Sequence, residues 1–299
     1  MRSAWWMVWA ASAISCVGAA PEDLTAPSSL SDDLVYGSDD RRDFYELDDP
    51  AQRLAAESTA ALFRFSALGR LRDGRVAVRS TSTYGATQNL CVEEPYRAQP
   101  DAAFCSGFLV APDVIATAGH CVASAQDCAS IAFVFGYRMT DARTANTVFP
   151  SRDVYFCRAV IGREETSTSD WALIRVDRAA DRAPLSLRRS GTVALGAPLV
   201  VMGHPSGIPL KVAGNATVRS NRAAAYFEAN LDTYAGNSGS PVFDARTLTV
   251  EGILVRGNED FALDSRRRCF LSNRCDDARG CGGWEGVTRA SRFASLVPR

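Results

Sequence analysis

An all-β fold, either a sandwich or a pair of barrels, is what the sequence predicts, and three observations carry it. Short runs rich in β-branched and aromatic residues recur beyond Ser58, turn residues separate them, and no helical repeat alternates with them. The chain has 299 residues, 46% of them apolar and 22% charged. That is enough to bury a sizeable core in one or two domains. Its 33 basic and 34 acidic residues leave a net charge of −1, which argues against a binder of nucleic-acid backbones. We find no internal repeat, heptad or glycine-rich phosphate loop.

The elements follow in chain order. Arg2 precedes an uncharged, mostly apolar stretch from Ala4 to Ala20, which reads as a secretory signal over residues 1–20. Pro21, Glu22 and Asp23 end it too soon for a membrane span of roughly 20 apolar residues. Cleavage after Ala19 or Ala20 fits, as does lipoprotein-type acylation of Cys16. From Glu22 to Asp49 there are ten acidic residues and two arginines, a charge of −8 that leaves +7 for the rest of the chain. Residues 21–57 are therefore expected to be a solvated acidic linker or prosegment that ends in a short helix. Asp49 is placed to cap that helix, with Pro50 in its first turn and Gln52 three residues after the cap.

The strand runs include Arg75–Val78, Ile131–Phe135, Val154–Phe156, Leu199–Met202 and Gly252–Val255, separated by turns such as Pro112-Asp113, Pro205-Ser206-Gly207 and Ala213-Gly214-Asn215. A terminal helix is expected over Arg289–Leu296. Nine cysteines are an odd number for an oxidising compartment. Removing Cys16 with the signal leaves eight, which suits an exported disulfide protein. Cys269, Cys275 and Cys281 lack close pairing and a nearby histidine, so disulfides account for them better than zinc does. No cofactor or metal is expected. Arg266, Arg267 and Arg268 read as a solvated face.

Only two histidines, His120 and His204, are available to any mechanism that needs an imidazole. His120 follows two strand-like runs joined at Pro112-Asp113, with Cys105 and Cys121 placed to close the loop; alone, it also fits a structural histidine beside a disulfide. His204, in Gly203-His204-Pro205-Ser206-Gly207, reads as a loop residue. Asp170 opens the apolar run Trp171–Val176 and alone would pass for a surface acid capping a strand. Ser238 lies in Gly236-Asn237-Ser238-Gly239-Ser240-Pro241. Glycines on both sides allow a sharp turn that exposes the hydroxyl and aims the amides of Gly236 and Ser238 at one point, as an oxyanion hole requires. The ordinary alternative is a Gly/Asn/Ser turn between strands.

Taken together and in the order His120, Asp170, Ser238, these segments resemble the trypsin-like, chymotrypsin-fold serine peptidases. Gly236–Pro241 is most similar to the bacterial glutamyl-endopeptidase branch. The resemblance covers about residues 58–299, and Val35–Arg41 is similar to the mature amino terminus of that branch. It implies two six-stranded antiparallel β-barrels, over 58–185 and 186–299, with a catalytic cleft between them. It also implies His120 as general base, Asp170 as its orienting partner, Ser238 as nucleophile, and Gly236 and Ser238 as oxyanion donors.

Three departures bear on activation and specificity. Asn237 stands where the animal enzymes carry the aspartate that pairs with a newly cut amino terminus. Leu254 stands where the glutamyl branch has a specificity histidine, and Arg256, beside Gly257, replaces the usual aromatic. Asp232, six residues before Ser238 and next to Thr233, occupies the place of the acid in trypsin-type specificity pockets. The pocket is therefore assigned to Asp232, Thr233, Leu254, Arg256 and Gly257, with a preference for Arg or Lys before the scissile bond; pairing of Asp232 with an internal arginine such as Arg256 is the alternative. Expected, then, is an exported, monomeric endopeptidase acting on protein or peptide substrates, without membrane span or nucleic-acid partner. Its rivals are a catalytically silent binding module of the same fold and an esterase using the same triad.

Overall fold

The computed structural model describes Met1 and residues 35–80, 82–257, 259–275 and 283–298. Twelve strands build two closed barrels. The first contains β1 (Thr59–Arg64), β2 (Cys105–Ala111), β3 (Val114–Thr117), β4 (Ile131–Phe135), β5 (Val154–Glu165) and β6 (Asp170–Val176). They are hydrogen-bonded in the order β5-β6-β3-β2-β1-β4, and pairing of Val154–Phe156 with Ala132–Val134 closes the ring. The second contains β7 (Pro198–Gly203), β8 (Lys211–Ser220), β9 (Tyr226–Ala229), β10 (Pro241–Asp244), β11 (Val250–Arg256) and β12 (Glu285–Arg289). Its order is β7-β10-β11-β12-β9-β8, closed where Leu199 pairs with Ala216 and Val201 with Ala213. Closure leaves neither sheet with a long open edge.

The apolar runs fill the barrels. Phe108, Ile115, Phe133, Leu173 and Ile174 are fully buried in the first, and Leu199, Phe227, Val242, Leu254 and Val287 are buried in the second. Cys91 is bonded to Cys269, Cys105 to Cys121 and Cys128 to Cys157. Cys275 is also disulfide-bonded. The proposed signal and Cys16 lie outside the described residues, as does Cys281. Among the described residues, no helix is long and apolar enough to cross a membrane.

Two expectations need correction. The acidic arm is not solvated throughout, because much of residues 35–47 is buried against the folded body. Val35–Tyr36 pairs with Arg274–Cys275, and Arg42–Asp43 adds to the end of β8. Several charges in this stretch have partners. The buried Arg41 is ion-paired with Asp39 and lies 4.2 Å from the centre of the Tyr234 ring. Lys211, the sole lysine of the chain, donates to Asp43 at 2.6 Å and to Gln99 at 2.7 Å. Burial lowers its ammonium to about 8. The expected helix after the arm forms over Pro50–Glu57, with the Asp49 side chain accepting from the Ala51 amide. The terminal helix does not form. Ala290–Arg292 and Ala294–Leu296 are separate 3₁₀ turns, broken at Phe293 where φ is −122°. Burial of Ala290, Phe293 and Ala294 decides the local bend.

Candidate active site

Strand pairing brings His120 and Asp170 together. Thr117 on β3 faces Ala172 on β6, so the residues just beyond, Gly119 and His120, meet Asp170 where β6 begins. His120 Nδ1 lies 2.6 Å from Asp170 Oδ2. The other oxygen, Oδ1, accepts from the amides of Gly119 and His120, the latter at 3.2 Å. The Asp170 amide donates to Thr288 Oγ1 at 3.1 Å. The carboxylate is thus held at both oxygens while the imidazole stays partly open, with 24% of its side chain exposed against 4% for Asp170. A Cβ on Gly119 would lie 2.3 Å from the Glu164 carbonyl, so only glycine fits in that turn.

Ser238 arrives from the second barrel. Its carbonyl oxygen accepts from the Ser106 amide at 2.8 Å and lies 3.6 Å from Sγ of Cys121, the neighbour of His120. Gly236 and Gly239, with φ of +93° and +91°, make the sharp turn around Asn237-Ser238. The amides follow from how the carbonyls are tied. The Ala235 carbonyl accepts from the Ser206 amide, and the Asn237 carbonyl accepts from the Ser240 amide at 2.8 Å. In a trans peptide N–H points opposite to C=O, so the amides of Gly236 and Ser238 face away from these anchors. Neither donates to a protein acceptor among the described residues. Two free, preorganised donors flanking a serine are what stabilisation of a tetrahedral oxyanion requires.

The expected pocket residues divide. Asp232 is 5% exposed, and its oxygens accept from the amides of Tyr36 at 2.7 Å and Asp40 at 3.2 Å. Its partners are therefore groups of the arm, two backbone amides and the side chain of Asp40, and not Arg256. Burial pushes its carboxyl up to about 8, against the two amide bonds. Thr233 is buried and donates to Glu285 Oε2 at 3.2 Å, while Tyr36 donates to Glu285 Oε1 at 3.2 Å. Leu254 is not a pocket wall. Its side chain is buried in the core of the second barrel, and only its backbone serves the site, bonding Gly239 and Ser240. Arg256 lies 5.3 Å from the Tyr226 ring centre and donates to the Thr166 carbonyl across the cleft at 3.5 Å. Gly257 follows it, half-buried. Cys105, His120 and Cys121 bring their ligand atoms within 4.8 Å of one another, but both sulfurs are in the disulfide, so the trio offers a metal only one imidazole.

His204 is a buried loop residue. Its ring stacks on Tyr137, Nδ1 lies 3.2 Å from the Ile208 carbonyl, and burial lowers it to about 3. Below its ordinary value of 6.5 the unfolded chain gains a proton that the folded chain excludes, so stability falls as pH drops toward about 3. We expect this group to contribute a slope of about 1.4 kcal/mol per pH unit in that window. Denaturant unfolding of wild type and His204→Gln between pH 4 and 6 checks it, and equal slopes would refute it.

Sequence reasoning missed Ser106, Thr288, Glu285 and Ser206. Each is an ordinary polar residue in a strand or turn whose partner lies far away in the chain, and only Ser106 carried a local signal, its place beside Cys105.

Residues 105–253 match the family described as trypsin-like peptidase domain. A glutamyl endopeptidase of Bacillus licheniformis is 27% identical over 185 residues, 58% of this chain and 53% of that protein. The match therefore spans about half of that relative's length. Among solved structures, a Glu endopeptidase superposes with a TM-score of 0.52 at 17% identity, over 88% of this chain and 97% of the other. The VesB protease of Vibrio cholerae superposes with a TM-score of 0.51 at 15% identity, over 88% and 66%. With two closed barrels, a domain match over residues 105–253 and kinship to a bacterial glutamyl endopeptidase, this chain carries a trypsin-like peptidase domain.

Proposed function

We propose that the chain is an exported serine endopeptidase that works through an acyl-enzyme. The observation that carries this reading is the 2.6 Å contact between His120 Nδ1 and Asp170 Oδ2, set beside a serine flanked by free amides. In the proposed cycle Ser238 Oγ attacks the scissile carbonyl carbon as His120 Nε2 takes its proton. Asp170 fixes the tautomer and stabilises the imidazolium, and the amides of Gly236 and Ser238 bind the oxyanion. The proton passes to the leaving amine, the carbon–nitrogen bond breaks, and water activated by the same imidazole releases the acyl group. Export is supported by the apolar amino terminus and by the disulfides, which suit an oxidising compartment.

For specificity, Asp232 supports a preference for Arg or Lys before the scissile bond. Its oxygens accept two backbone amides, and its carboxyl stands beside those of Asp39 and Asp40, a concentration of acid that favours a guanidinium or ammonium. Because burial raises the carboxyl to about 8, the charged form that attracts a cation grows as pH rises toward that value. In a panel of peptides that differ only in the residue before the cut, kcat/KM for Arg relative to Leu should rise roughly tenfold between pH 6 and 8.5. Asp232→Asn should abolish the rise. Equal cleavage after Leu and Arg at every pH would remove the preference, and no cleavage of any peptide would remove the peptidase reading.

A further inference from the structure

The free amide of Gly236 depends on a backbone conformation, φ of +93°, from which a glycine turns easily. What prevents it from turning is a pair of contacts from outside the loop. The Ala235 carbonyl, on the peptide that carries the Gly236 amide, is held by the Ser206 amide. The next carbonyl, that of Gly236, accepts from Ser106 Oγ at 3.1 Å. The same hydroxyl accepts from the His204 amide at 2.9 Å, which ties the turn bearing Ser206 to it. Ser106 also donates its own amide to the Ser238 carbonyl, and its carbonyl accepts from Thr117 Oγ1 at 2.7 Å. Thr117 ends the strand that leads to His120. Ser106 is fully buried, and so is His204. The glycine is tightly seated as well, since a Cβ on Gly236 would lie 2.9 Å from both the Gly207 nitrogen and the His204 carbonyl.

We infer that Ser106, on β2 of the first barrel, is a positioning residue for catalysis whose hydroxyl fixes the oxyanion-binding amide of Gly236 in the second barrel. This rests on the serine-peptidase reading and adds a specific physical content to it. One hydroxyl pins Gly236 on its carbonyl side directly and on its amide side through the 204–207 turn. The donor is therefore oriented before substrate arrives, and preorganisation of this kind is what makes an oxyanion hole effective. Without the hydroxyl the Gly236 carbonyl and the His204 amide lose their common partner, and the Ala235–Gly236 peptide is free to rotate its N–H out of the hole. Substrate binding does not use this hydroxyl, so the loss falls on the transition state.

The test compares wild type with Ser106→Ala, Ser106→Cys and Ser106→Thr, counting active sites by fluorophosphonate titration. Deleting an oxyanion donor costs roughly 10²–10³ in rate, and misorienting one should cost roughly 10–100-fold. We expect Ser106→Ala to lower kcat by that factor per active site with KM within about twofold, and to weaken a peptide boronate, which mimics the tetrahedral adduct, by the same factor. Ser106→Cys keeps the volume with a poor donor and should behave likewise even if the alanine variant fails to fold. Ser106→Thr restores a hydroxyl and should recover most of kcat. Variants that lose only thermal stability, with kcat per active site and boronate affinity unchanged, would overturn the inference. A wild type that neither cleaves peptides nor binds the boronate would overturn the peptidase reading and the inference with it.

Discussion

Ser238→Ala is expected to lower turnover by roughly 10⁴–10⁶-fold while the fold and substrate affinity persist. Ser238 is 7% exposed, and its main chain is held by Ser106, so losing the hydroxyl removes the nucleophile without loosening the turn. Asp170→Asn should also be severe, roughly 10⁴-fold, because an amide at Oδ2 no longer fixes the imidazole tautomer. Asparagine also replaces the acceptor that holds the Gly119 and His120 amides with a group of lower charge. Combining either change with His120→Ala should add little, since in the proposed mechanism the three residues act as a unit. Peptide hydrolysis measured for the single and double variants checks this. Additive losses would mean that the residues work separately.

The second large effect is Gly239→Ala. A Cβ there would lie 2.0 Å from the Ser106 carbonyl oxygen and 2.4 Å from Thr117 Oγ1, at a φ of +91°. Both obstacles belong to strands of the first barrel, and one is backbone, so neither can yield without parting the barrels at the site. Left-handed strain adds roughly 1–2 kcal/mol, and we expect a total loss of about 4 kcal/mol, at the extreme of what single substitutions do. Gly214→Ala is the control. Nothing lies within 4 Å of the Cβ it would add, and its effect should stay within about 0.5 kcal/mol. Denaturant midpoints for the two variants make the comparison, and similar values would show that contact across the barrel interface is not what glycine serves at 239.

Much of this was legible in the sequence, and the reasons differ by residue. The barrel strands announced themselves because Ile131–Phe135 and Leu199–Met202 are apolar runs bounded by turns. His120, Asp170 and Ser238 stood out only jointly, since each alone fits an ordinary strand end or turn. What was not legible is what long-range partners decide. Asp43 reads as part of a solvated acidic run until β8 brings Lys211 against it, 168 residues away. Asp232 is legible as an acid before the serine turn, but not the Tyr36 amide that reaches it across 196 residues. Leu254 sits in the predicted strand, but strand pairing alone could not tell which way its side chain faced. Over Arg289–Leu296 the composition suited a helix, and burial of Phe293 set two tighter turns instead.

The central claim is that Ser238 is an activated nucleophile served by His120. The most direct measurement is labelling of the folded, processed protein with a fluorophosphonate, followed by peptide mass spectrometry. A single adduct on Ser238, absent from His120→Ala and after denaturation before labelling, is the result predicted. Folded protein that stays unlabelled, or that carries its adduct on another residue, would contradict the claim.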